Sequence, residues 1–281
     1  MSEPISFSTT DAIKLLEPGV LSTIIGDGIN DCSKLTIAGS LNGNDIVLLR
    51  KMAGVDTDNT ATQGKLSELN LAEAHFVEGG SPFGPYNRHT KTNMVSQGMF
   101  AYCPHLNKIT LPTDVTSIEK DAFEGCTSLR NIEIPANISM LLPSSGCTAL
   151  ETISVSKANV HYSSVDGVLL NAEATNIVWF PLGKKGDYTL PATVNCIGDY
   201  AFKECNIEKF ILPDALTKIG QGAFMNSNIK EVSLPDKLKS IPTGTFQGCK
   251  ELKTVRMGTK TELISDYVFD NCPLTDIYID A

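Results

Sequence analysis

From Phe100 onward, apolar and polar residues recur in one order. Segments such as Leu106-x-x-Ile109-x-Leu111-Pro112 alternate apolar and polar with a period of two, the pattern of a short strand with one buried face. Pro112, Pro135, Pro191, Pro213 and Pro235 end these strands. A further apolar pair, as in Val115 and Ile118, turns the chain along the outer side. An Ala-Phe pair (Ala122, Phe123) then pushes a ring inward, and an x-x-Cys step brings the chain back. The phenylalanines at 100 and 123, 202 and 224, 224 and 246, and 246 and 269 are 22 or 23 residues apart. A single coil of that length cannot bury its own apolar faces. Coils stacked about 4.8 Å apart pair their strands into a parallel sheet over a continuous core, so the pattern predicts a solenoid.

Cys103, Cys126, Cys147, Cys205, Cys249 and Cys272 fall at one position of the repeat, and Ser227 fills it in another copy. A column accepting Cys or Ser needs a small buried side chain with weak hydrogen-bonding capacity, as a free interior thiol provides. Stacked neighbours could come within the disulfide Cα range of about 4.4–6.8 Å, yet the thiols are expected to stay reduced. The period lies in the leucine-rich repeat range of about 20–29 residues. It is interrupted twice. The Phe position is lost at Ser144, and between Val155 and Leu190 two β-rich runs, Val165 to Leu170 and Ile177 to Phe180, predict a hairpin with an Asn/Ala/Thr turn.

The order I-x-x-x-A-F-x-x-C-x-x-L-x-x-I-x-L-P, carried from Phe100 to Ala281, resembles the BspA-like leucine-rich repeat family. The Y-S-S-x-D-G-V-L element starting at Tyr162 recurs in members of that family. The resemblance implies an α/β solenoid: a right-handed leucine-rich repeat coil with a parallel β-sheet on the concave side and an N-terminal helical/strand cap. Repeats are then expected over 66–281, with the insertion at about 156–187, and the cap over 1–65. Leu21 to Ala74 look like the cap of bacterial surface proteins of this family, particularly those of Bacteroidetes.

Within the cap, Asp11 to Glu17 and Gly19 to Ile25 are apolar at helical spacing on either side of Pro18. Leu35, Ile37 and Leu41 suggest a strand. Asn44 or Asp45 as N-cap and Gly54 as C-cap bracket a short helix over Ile46 to Met52. Lys65 to Ala72 reads as a strand with the repeat's own spacing, and Gly79 to Arg88 as an irregular surface loop.

Composition narrows the function. Of 281 residues, 42% are hydrophobic and 20% charged, and no apolar stretch approaches the roughly 20 residues of a membrane-spanning helix. A formal charge of -9 argues against a general affinity for nucleic acid or anionic membrane. Eight cysteines lack the C-x-x-C spacing of zinc or redox sites, and His75, His89, His105 and His161 have no metal-binding spacing. Of these, His89 in the Pro/Gly loop has the context for an exposed role, against the plainer reading of a solvated loop histidine. Gly26 to Asp31 superficially suggests a calcium loop but lacks the closing Glu, so a tight acidic turn fits it better. Trp179, the sole Trp, reads as core between Val178 and Phe180. No nucleophile, phosphate-loop or zinc-protease motif is present. The expectation is therefore a protein that is not an enzyme and carries no cofactor or metal.

The alternation predicts which strand residues face outward: Glu68, Asn70, Lys108, Thr110, Asn131, Glu133, Thr152 and Ser154, then Lys209, Ile211, Glu231, Ser233, Thr254, Arg256, Asp276 and Tyr278. All but Thr152 and Ser154 form the candidate binding surface; Ile211 and Tyr278 are apolar or aromatic where polar residues are usual. A solvated sheet face is the plainer reading of the same residues. The expected role is a non-catalytic binding or adhesion module for a protein or glycan partner. The alternative is a structural protein assembling through solenoid ends or sheet edges, as a homo-oligomer through the C-terminal coil. The family resemblance implies a cell-surface or secreted location, although Met1 to Thr10 supply no basic, apolar or cleavage region of a secretory signal.

Overall fold

The computed structural model describes residues 12–185 and 188–279. It divides into two compact units, Met1–Asn159 and Val160–Ala281.

In the first unit, six strands form one parallel sheet in the order Ile13–Leu15, Lys34–Leu41, Glu68–Phe76, Lys108–Thr110, Asn131–Ile134 and Thr152–Val155. Lys34, Glu68, Lys108, Asn131 and Thr152 lie in one row across it. Because side chains alternate faces, the next row, Leu35, Leu69, Ile109, Ile132 and Ile153, is buried throughout. Met94–Val95, Ser117–Ile118 and Met140–Leu141 make a second parallel sheet. Phe100 and Phe123 stack with centroids 5.8 Å apart. The repeat's missing ring at Ser144 is replaced by a polar bond: the buried Ser144 Oγ accepts from Phe123 N at 3.1 Å. One coil earlier, Phe100 N uses the Ala122 carbonyl at 2.9 Å.

The N-terminal hundred residues depart from expectation in five places. The helix expected over 11–17 is instead the strand Ile13–Leu15, with Asp11 outside the described residues. Ile13 and Leu15 face inward with Lys14 out, and pairing with Ile37 to Gly39 of the sheet outweighs a short helical spacing. The spacing beyond Pro18 does yield a helix, α1, at Leu21–Ile25, followed by a 3₁₀ turn at Gly26–Asn30, where a tight acidic turn is expected. The second helix, α2, covers Gly43–Met52 and is capped by Asn42 rather than by Asn44 or Asp45. Asn42 Oδ1 accepts from Asn44 N at 3.0 Å, and Asp45 Oδ2 accepts from Asn42 N at 2.9 Å. The buried Asp45 also takes Gly19 N (2.6 Å) and Leu21 N (3.1 Å), joining α1 to α2. Ala53 rather than Gly54 is the C-cap. The strand expected at Lys65 to Ala72 runs Glu68–Phe76. The supposed loop at 79–88 is a hairpin of Gly79–Phe83 and Arg88–Thr90, anchored by buried Phe83.

In the second unit the insertion has one strand more than the predicted hairpin. Tyr162–Val165, Val168–Asn171 and Asn176–Trp179 form an antiparallel meander. The run Val165 to Leu170 is split by Asp166 and Gly167, both at positive φ (51° and 77°), a tight Asp-Gly hairpin turn. Asn176–Trp179 then pairs in parallel with Cys196–Ile197 and onward to Lys218–Ile219. Trp179 is core, as expected. On the strand side, Tyr188–Thr189 pairs with Phe210–Ile211, and Glu231–Ser233, Thr254–Met257 and Asp276–Ile279 form a three-stranded parallel sheet. Phe180, Phe202, Phe224, Phe246 and Phe269 make a ladder with successive centroids 5.0, 5.2, 5.3 and 5.7 Å apart. Among the described residues, helix is confined to the cap. Turns and two-residue strands carry the outer side of the coils.

The cysteine column has a bonding role. The thiols of Cys126, Cys147, Cys249 and Cys272 donate to the carbonyls of Phe100, Phe123, Phe224 and Phe246, each one coil back, at 3.0, 3.2, 3.0 and 2.9 Å. A hydroxyl can occupy the same niche, and Ser227 is buried there against Cys249 Sγ at 3.4 Å. Burial pushes the Cys103 thiol up to about 11 and that of Cys205 to about 12, so these sulfurs stay protonated and weakly reactive.

Candidate functional site

The sequence-predicted surface residues fall into two in-register groups, one on each unit. On the first, Glu68 stands between Lys34 and Lys108, and its carboxylate pairs with Lys34 Nζ at 2.7 Å. Asn70 stands between Thr36 and Thr110. Its Oδ1 accepts from Ala72 N at 3.1 Å, which fixes the amide. Lys34, Glu68, Asn70, Lys108 and Thr110 line a shallow depression of about 180 Å³. Asn131 and Glu133 continue the exposed face beside Thr152 and Ser154. This arrangement offers donors and acceptors of both signs on a rigid pleat. It contains no nucleophile paired with a base.

On the second unit, Lys209 Nζ and Glu231 Oε1 pair at 2.6 Å, and the Lys209 ammonium holds the exposed Glu231 carboxyl below its usual range. Ile211 is 61% exposed and lies beside Thr189. Ser233 neighbours Arg256, Thr254 neighbours Asp276, and the Arg256 guanidinium lies 4.1 Å from the centroid of Tyr278. That cation–π contact holds a flat, partly exposed platform of one cation and one ring at the sheet edge. All fourteen residues are exposed or half-buried, on the side that a period of two leaves to them.

The remaining candidates do not assemble. His89 is exposed on the hairpin strand Arg88–Thr90, and His75 Nδ1 lies 2.7 Å from Asp114 Oδ2. Among the described residues no three His, Cys, Asp or Glu side chains stand together to hold a metal ion, and no helix is long and apolar enough to cross a membrane.

Stacked coils of 22–23 residues with one strand each in the polar-faced sheet, and a phenylalanine ladder, define a leucine-rich repeat protein. Residues 90–165 and 184–281 match the BspA type leucine rich repeat region in six copies, more than half of the chain, and the chain belongs to that family. The gap between the two matched stretches falls in the antiparallel meander. Solved structures show the same fold. A leucine rich cell surface protein from Faecalibacterium prausnitzii is 22% identical, with a TM-score of 0.55 over 88% of this chain and 80% of its own. The pneumococcal vaccine antigen PcpA is 19% identical, with a TM-score of 0.58 over 88% of this chain and 62% of its own. No curated protein sequence matches the chain.

Sequence reasoning missed Tyr86 and Tyr102, which meet beside Glu124. Tyr86 Oη donates to Glu124 Oε2 at 2.5 Å, and the same carboxylate acts on the Tyr102 phenol. A signal was present: Tyr102 occupies the position held by Gly125, Asn226, Gly248 and Asn271 in other copies. That position has a left-handed backbone (φ 57° at Tyr102), where a bulky aromatic is unusual.

Proposed function

We propose that this protein is a non-catalytic binding or adhesion module that presents its sheet faces to a protein or glycan partner at the cell surface. The observation that carries this reading is the outward polar face of mixed charge on each unit, with exposed Ile211 and the Arg256–Tyr278 platform on the second. Solenoids bind through such extended faces, and exposed aromatics with arginine are the residue types that dominate interface energies. The Faecalibacterium neighbour's description as a cell surface protein supports the location. The test is joint replacement of Lys108, Glu133, Lys209, Glu231 and Arg256 by alanine, with binding measured against a panel of matrix proteins and glycans. We expect at least a tenfold loss of affinity for the partner that wild type binds, with an unchanged melting temperature. Undiminished affinity would remove the sheet faces from the interface.

A second reading, assembly between copies, is favoured by one observation. Ile277 and Ile279 are 55% and 77% exposed in the edge strand Asp276–Ile279, whereas their counterparts one coil back, Val255 and Met257, are buried. Sedimentation separates the readings. A concentration-dependent dimer abolished by Ile277→Lys supports assembly, and a monomer at all concentrations rejects it.

A further inference from the structure

A second surface on the first unit shares no residue with the sheet face. Three segments distant in sequence converge there: the loop after α2 with Val55 and Asn59, the hairpin turn with Pro85 and Tyr86, and the coil after Phe100 with Tyr102 and Pro104. They enclose an open groove of about 380 Å³.

Both tyrosine rings are held in place by the backbone beneath them. A Cβ at Gly98 would lie 2.7 Å from the Tyr86 ring, and one at Gly125 would lie 2.4 Å from the Tyr102 ring, so each ring rests on a residue that only glycine allows. Glu124 fixes the far end of Tyr86 by accepting from its phenol, and its carboxylate also acts on the Tyr102 phenol. Desolvation, then the Glu124 carboxylate, raises both phenols above their ordinary range, so they remain neutral donors at physiological pH. Below the groove, the buried Arg50 guanidinium faces the carbonyls of Gly98 and Ala101.

The groove's chemistry narrows the occupant. The Tyr86 hydroxyl is already bonded, that of Tyr102 is under the influence of the same carboxylate, and the remaining polar side chain in the lining, Asn59, has its oxygen on Arg50 Nη2 at 3.4 Å. A sugar needs directed partners for its hydroxyls, and this lining offers few. It offers flat rings, two aromatic and two prolyl, onto which pyrrolidine rings of an extended chain pack without needing N–H acceptors. Apart from the buried Arg50, whose guanidinium is turned to main-chain carbonyls, the charged groups near the lining are acidic: Glu124 and the buried Asp121 act on both phenols, and Asp56 and Asp58 precede Asn59. Such a margin favours a cationic flank on the ligand. We propose that this groove docks an extended, proline-containing peptide segment that carries Lys or Arg beside its prolines. The proposal stands apart from the sheet-face reading, because the two surfaces can be disabled separately.

The test is fluorescence anisotropy of a labelled peptide of four Pro-Pro-Arg triplets titrated with the full chain. Saturable binding is expected, weakened at least tenfold by Tyr102→Ala. Ala61→Arg should have the same effect from an exposed position of the groove while leaving both tyrosines in place. Replacing the peptide's prolines by alanine, or its arginines by glutamate, should abolish binding. The double substitution Lys108→Ala/Glu133→Ala on the sheet face should leave it unchanged. Absence of saturation up to millimolar protein, or affinity indifferent to Ala61→Arg, overturns the proposal. So does a neutral oligosaccharide that binds with the same Tyr102 and Ala61 dependence where the peptide does not.

Discussion

Phe224→Ala should destabilise the second unit by about 3–5 kcal/mol, the usual cost of truncating a fully buried phenylalanine. The ring is 0% exposed and stacks on Phe202 (5.2 Å) and Phe246 (5.3 Å), with Phe210 edge-on at 5.2 Å. Its removal therefore breaks contacts in the coils on both sides, and in a solenoid those nearest-neighbour contacts are the main source of stability. Phe269 is the internal control. It is only partly buried and has one ring neighbour, Phe246, so Phe269→Ala should cost about 1.5–2 kcal/mol. Trp179, the sole tryptophan and buried in the same unit, reports the transition by fluorescence in a urea titration. Equal costs for the two substitutions would mean that the ladder does not couple neighbouring coils.

Arg50→Ala is expected to cost the first unit about 3 kcal/mol, combining a cavity with a carbonyl left without its donor. Arg50 is 0% exposed, and its guanidinium bonds main chain in two other segments rather than a carboxylate. Nη1 donates to Ala101 O (2.7 Å) and Gly98 O (3.2 Å), and Nη2 donates to Asp56 O (3.2 Å). The fork thus joins α2 to the loop at 56–59 and to the first phenylalanine-bearing coil. Lysine has one point donor in place of the planar fork, so Arg50→Lys should recover less than half of the loss. Amide exchange of residues 56–60 and 98–102 measures the effect locally. Wild-type protection in Arg50→Ala would show that the carbonyls find other donors and that the fork is dispensable.

Much of this architecture could be read from the sequence, and the reason is local. Each coil repeats the same requirements, so the Phe and Cys columns, the prolines and the outward alternation are stated several times over. Elements that occur once were read less well. Ile13–Leu15 is too short to distinguish a period of two from a helical face, and its partner strand decides the matter. The Asp166-Gly167 turn was present in the sequence but lay inside what looked like one apolar run. The hairpin at 79–90 was obscured by Gly and Pro, which signal turns, although buried Phe83 ties it to the core. The tyrosine groove is composed of residues from three segments and two unseen glycine contacts, and no single stretch of chain encodes it.

The thiol-to-carbonyl bonds have a consequence for how such a chain can change length. Donor and acceptor occupy the same places in the four copies that make the bond, so a coil arriving with its own Phe and Cys can supply one bond to the coil before it and offer one to the coil after. Removing or duplicating a whole period therefore leaves the count of satisfied groups unchanged, whereas inserting half a period orphans both. Gene-level growth and shrinkage of this molecule is constrained to integer steps, and the reach of its sheet face is adjustable in increments of one strand.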